Sequence, residues 1–245
     1  MSSTSETGHA KNLSAFQSLI SFCKGYGPAY NPGRMALTTK AMETQLAAAQ
    51  AALANVKTAE MSFGNATNQR VLAFKALKPL ATQLVNALAA AGASTEAVKD
   101  AKTINRKLQG QRAPGSPKTV QPGSTRPEVN TTSASQQSFV QQAEHFNKFI
   151  ELLSAESAYA PNEAGLQVPA LLTTLAGLRA ANAAVTVAYT GWSNSRLQRD
   201  QLLYEPTTGV VPTALDAKKY IKSVFGAGSP QYNQVGNLRF HMVVS

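Results

Sequence analysis

Apolar residues recur early in the chain in steps of four and three: Met42, Leu46, Ala49, Leu53, Val56 and, after a skipped step at Glu60, Phe63. That spacing holds one stripe in a single direction and is the a/d pattern of a helix packed lengthwise on another. It predicts one long helix from Ala36 to about Ala91, bent near its end. Leu171, Leu175, Leu178, Asn182, Val185 and Trp192 repeat the same seam, each 129 residues after its counterpart. The pattern therefore predicts a duplicated helical unit whose two long helices pack side by side.

The flanks follow the same duplication. Phe16, Leu19, Ile20 and Cys23 lie at helical spacing and predict a short helix from Ser14 to Lys24. The glycines and prolines of Gly25 to Gly33 exclude helix and predict a corner. In the second half, Phe149, Ile150 and Leu153 mark a short helix over Phe146 to Leu153. Tyr159-Ala160-Pro161 then stands where Tyr30-Asn31-Pro32 stands in the first half, and Leu166 where Leu37 stands. Pro79 and Pro206 each end or bend a long helix. Ser94-Thr95-Glu96-Ala97 is a helix start. The helix after it, Asp100-Ala101-Lys102 through Gly110, matches Asp216-Ala217-Lys218 through Gly226 at an offset of 116, and both glycines read as caps.

Each long helix carries an aromatic beside a glycine, in Ser62-Phe63-Gly64-Asn65 and Gly191-Trp192-Ser193-Asn194. A mid-helix glycine costs roughly 1 kcal/mol relative to alanine. Close backbone approach is the usual compensation, so Phe63, Gly64, Gly191 and Trp192 are the expected crossing of the two long helices. Asn182 interrupts the second seam, where it either fixes register or is wetted at the edge.

The expected fold is all-α: an elongated helical bundle of two pseudo-symmetric repeats, each with one long central helix and flanking short helices. Residues 1–12 are Ser/Thr-rich and expected to be flexible. Repeat 1 spans 13–110 and repeat 2 spans 136–227, joined by a Pro/Gly/Ser/Thr-rich linker over 111–135. Residues 228–245 form a tail expected to pack as an extended arm, with Leu238 to Val244 able to add a strand to something.

Charged residues make up only 15% of the chain, well below the ~25% of typical domains. The surface is correspondingly tolerant of protein contact. The net charge of +10 admits nucleic acid or an acidic surface as partner. It is unevenly spread: Leu13 to Gly110 holds eleven basic and four acidic residues, whereas Gln136 to Ala227 holds seven of each. Cys23 is the sole cysteine, which excludes an internal disulfide and fits a reducing compartment. The polar N-terminus has no signal-peptide pattern and no run of ~18 apolar residues is present. A cytoplasmic protein without a transmembrane segment is expected.

Candidate chemistry is sparse. No metal-ligand spacing and no phosphate-cradling glycine motif occurs, so no metal and no cofactor is expected. Glu144 and His145 are helix neighbours about 100° apart and point in different directions. His145 is therefore expected to be solvated or half-buried rather than catalytic, and Cys23 to be a buried structural thiol. One basic stripe stands out. Lys99, Lys102 and Arg106 share a helical face with Lys107 beside them; Lys218 and Lys222 repeat two positions, flanked by Lys219. These seven are the candidate anion or nucleic-acid contacts, set against simple solvation and complementation of a helix dipole.

The landmarks Tyr30-Asn31-Pro32, Asn68-Gln69-Arg70, Asp100 to Leu108 and Lys218 to Gly226 resemble those of an uncharacterised family of internally duplicated all-helical bacterial proteins. The resemblance covers most of the chain after residue 14. It implies no activity and carries over no functional residue. The expected function is non-enzymatic: a structural or scaffolding protein that associates with itself, as a homo-oligomer or filament, or with another protein. Two alternatives stand beside it, a basic nucleic-acid- or ribosome-associated protein and a membrane-active helical protein.

Overall fold

A computed structural model describes residues 4–111 and 137–242, and every regular element among them is helical. In chain order these are α1 (Thr4–Gly25), α2 (Thr39–Lys75), α3 (Leu77–Ala90), α4 (Thr95–Gln109), α5 (Phe139–Ala155), α6 (Val168–Tyr204), α7 (Val210–Phe225) and α8 (Pro230–Gly236). Short 3₁₀ turns at Met35–Leu37 and Ala164–Leu166 lead into α2 and α6. The expected linker falls, apart from Gln111, outside the described residues.

The two long helices are each 37 residues. Both are entered by the same local device. The Tyr30 hydroxyl donates to the Leu37 carbonyl at 2.8 Å, and the Tyr159 hydroxyl donates to the Leu166 carbonyl at 2.7 Å. Each bond spans seven residues and closes the corner ahead of the helix. Pro79 does more than bend the first long helix. It has no N–H to give the Lys75 carbonyl, and the helix breaks at Ala76 into α2 and α3. Ser94 caps α4 by accepting from the Ala97 N–H, and Gly110 closes it at φ 74°.

The helices form two compact units, and each draws on both halves of the sequence. Unit 1 comprises residues 1–63 and 188–245; unit 2 comprises 64–187. Their limits cut across the expected repeats at 13–110 and 136–227. In unit 1, Phe16, Leu19 and Cys23 of α1 and Met42 and Ala49 of α2 are buried with Leu203, Ala214, Ile221 and Val235. In unit 2, Phe74, Leu84 and Leu88 are buried with Leu108, Phe146, Phe149, Leu171 and Leu175. Each such Leu or Phe contributes roughly 1.5–3 kcal/mol by leaving water, so each unit carries its own core.

The division into units redistributes charge. Unit 1 holds eleven basic and six acidic residues and unit 2 holds twelve and seven, so each carries +5. The contrast between halves does not survive as a contrast between units.

Three segments depart from expectation. Residues 4–12, expected to be flexible, belong to α1, because His9 and Asn12 are fully buried and hydrogen-bonded rather than solvated. The short helix of the second half begins at Phe139, seven residues early, where Ser138 caps it by accepting from the Gln141 N–H. The tail first forms α8, started by Ser229 and Pro230, and only after it runs without regular secondary structure.

Candidate functional site

The expected crossing brings its aromatics together but not its glycines. The rings of Phe63 and Trp192 stack at 5.5 Å between centroids and 18° between planes. Tyr189 meets both, at 5.7 Å from Phe63 and 6.4 Å from Trp192. The Arg196 guanidinium lies 5.6 Å from the centre of the Trp192 ring. A Cβ added at Gly64 or Gly191 would meet nothing within 4 Å. Close backbone approach is therefore not what these two glycines provide. Long aromatic side chains span the gap instead, and Tyr189 remains 55% exposed.

The seven basic candidates divide between the two units. On α4, Lys99, Lys102 and Lys107 are exposed and Arg106 is half-buried, with its guanidinium 3.4 Å from the Thr103 hydroxyl. On α7, structural contacts engage all three. Lys218 donates to the Gly236 and Leu238 carbonyls at 3.1 and 2.8 Å, and burial lowers its pKa. Lys219 pairs with Asp216 at 3.1 Å, and Arg34 reaches the same carboxylate at 2.7 Å. These partners, Lys219 first, hold the Asp216 pKa below its ordinary value. The Lys222 ammonium lies 5.6 Å from the centre of the Tyr232 ring. Among these seven, the α4 lysines are exposed with no ion pair or ring contact among the described residues, whereas Lys219 and Lys222 of α7 are exposed but engaged.

The most polar interior lies in unit 1 and centres on residues that periodicity alone did not flag. His9 Nδ1 and the Tyr204 hydroxyl are 2.6 Å apart, and the Asn12 amide donates to the same hydroxyl at 3.3 Å. The Asn12 amide also donates to the His241 carbonyl at 2.7 Å, while its oxygen accepts from the His241 N–H at 3.0 Å. Arg199, only 1% exposed, donates to Asp200 at 2.8 Å through Nε and pairs with it at 2.7 Å through a terminal nitrogen. Arg70, 129 positions earlier in unit 2, lies 4.5 Å from the Phe139 ring instead. His9 and Asn12 were hidden by the polar composition of the first residues. Their spacing to Phe16, at seven and four residues, is the signal that places them on the buried stripe.

The remaining candidates are packed or hydrogen-bonded within the units. Cys23 is a buried free thiol whose pKa burial raises to about 11, the opposite of an activated nucleophile. His145 is buried rather than solvated or half-buried, because its side of α5 packs into unit 2. Desolvation, with smaller contributions from Lys107 and Lys148, lowers its pKa. Glu144 points away and pairs with Arg179 at 3.1 Å. Asn182 donates to the Phe139 carbonyl at 3.2 Å, so it ties α6 to the start of α5. Among the described residues, no group of three His, Cys, Asp or Glu is placed to hold a metal ion.

α6 has a further property. It is long and apolar enough, by length and composition, to cross a membrane, and only 22% of its most apolar window is buried. The helix has no long contiguous apolar run; alanine among Leu and Val raises its average hydropathy although Thr, Gly and Asn interrupt it. In comparisons with family models, curated proteins and solved structures, nothing matches the chain.

Proposed function

We propose that this chain is a non-enzymatic structural or scaffolding protein, built by internal duplication, that associates with copies of itself through its long helices. The observation that carries the reading is the poorly covered apolar character of α6. Leu172, Val187, Tyr189 and Leu197 are 49%, 71%, 55% and 66% exposed, and no charged residue occurs from Ala180 to Ser195. Solvated helix faces are normally charged, whereas an uncharged face with exposed Leu, Val and Tyr fits burial against another surface. The duplication is supported by the equal lengths of α2 and α6 and by the paired Tyr30 and Tyr159 bonds.

Light scattering across a concentration series tests the proposal. A mass that rises above the 25.9 kDa of one chain is expected, and a constant monomer mass at high concentration overturns it. The same feature of α6 favours a second reading, insertion into a bilayer; dye leakage from vesicles with no change in mass would select it. The exposed lysines of α4 support nucleic-acid contact less strongly, since the unit that carries them has the same net charge of +5 as the other.

A further inference from the structure

The chain after α8 has no regular secondary structure and is held in a particular way. Leu238 and Phe240 pack against the core of unit 1, while Arg239 and His241 between and after them are exposed. That is the alternation of a β-strand, yet no strand lies beside it among the described residues. Side chains take the place of a neighbouring strand. The Asn12 amide makes both bonds that a paired peptide group would make to His241. Lys218 takes the Gly236 and Leu238 carbonyls.

Every one of these polar contacts falls on main chain, three on the arm and one on Gly236, the last residue of α8. Asn12 is fully buried and held from behind by Tyr204, so it is set in place rather than recruited by the arm. Main-chain bonds for affinity and alternate apolar side chains for selectivity are the working parts of extended-peptide recognition.

We infer that Asn12 of α1 and Lys218 of α7 form a binding site for an extended peptide with apolar residues at alternate positions, and that it holds the arm of a second copy as well as its own. The arm of another copy offers the same Leu238 and His241 carbonyls, the same His241 N–H and the same Leu and Phe in the same order. Exchange between copies therefore loses none of the arm's own bonds.

The test uses the full chain with Leu238→Ser and Phe240→Ser, which releases the chain's own arm. The probe is a fluorescein-labelled peptide of residues 236–242, followed by fluorescence anisotropy. Saturable binding to the variant is expected, about tenfold or more tighter than to the wild-type chain, whose site is already filled. A peptide N-methylated at the nitrogen of the His241 position should bind about tenfold more weakly, because it lacks one main-chain donor. No binding to the folded variant at about 1 mM peptide overturns the inference, as does equal binding of a scrambled peptide. If the variant does not fold, the peptide must restore its helical circular dichroism, and failure to do so overturns the inference equally. Self-association through α6 is scored separately by light scattering, so either reading can fail alone.

Discussion

Replacing Asn12 by alanine should detach the C-terminal arm and weaken unit 1 by about 2 kcal/mol. Asn12 is fully buried and makes two good bonds to the His241 main chain, at 2.7 and 3.0 Å. Each net bond is worth roughly 1 kcal/mol. The third contact, 3.3 Å to the Tyr204 hydroxyl, adds little because that hydroxyl keeps its bond to His9. Water can reach the exposed His241, which limits the cost of leaving its peptide unpaired. The chain contains one tryptophan, Trp192, and it lies in unit 1, so its fluorescence in urea reports on this unit. With a slope of about 2 kcal/mol per molar, the midpoint should fall by about 1 M. Asn12→Asp should cost at least as much, since a carboxylate oxygen would then face the His241 carbonyl. A midpoint shift under about 0.2 M for Asn12→Ala would refute the reasoning.

Gly64→Ala and Gly191→Ala should each stabilise by up to about 1 kcal/mol, because a methyl there meets open space. Gly209→Ala should destabilise, its Cβ falling 2.7 Å from main-chain atoms of Glu205; urea melts of the three variants read the contrast. His145 has a depressed folded pKa, so its contribution is present above its ordinary value near 6.5 and is lost as pH falls through and below it. Urea melts at pH 8 and pH 5 should show this loss of stability, and His145→Gln should reduce it. Cys23 should resist a thiol reagent in the folded chain and react on unfolding, since it is 1% exposed and its pKa is raised to about 11. Val187→Lys should lower any associated mass seen by light scattering while leaving the melting temperature unchanged, because that side chain is 71% exposed.

Helical class and the two long helices were legible because their seams are regular: Leu171, Leu175 and Leu178 are buried where the spacing put them. Caps were legible at Ser94, Gly110 and Gly226, since each meets a local chemical need. The assembly of halves into units was not, because a seam states that a stripe is buried but not which residues cover it. The polar centre of unit 1 escaped for a related reason. His9 and Asn12 look like solvated residues until the position of Tyr204, almost two hundred residues away, is known. Gly64 and Gly191 misled because glycine marks both close approach and indifference, and only the space around it tells them apart.

That unit 1 is made of the first 63 and last 58 residues has a consequence for biosynthesis. The middle of the chain emerges as a contiguous stretch and can collapse into unit 2 at once. Helix α1 must meanwhile leave the ribosome with Phe16, Leu19 and Cys23 bare, and wait for α7 to be translated. At 5–20 residues per second that delay is on the order of ten seconds or more. During it, the greasy side of α1 is open to chaperones and to neighbouring nascent chains on the same message.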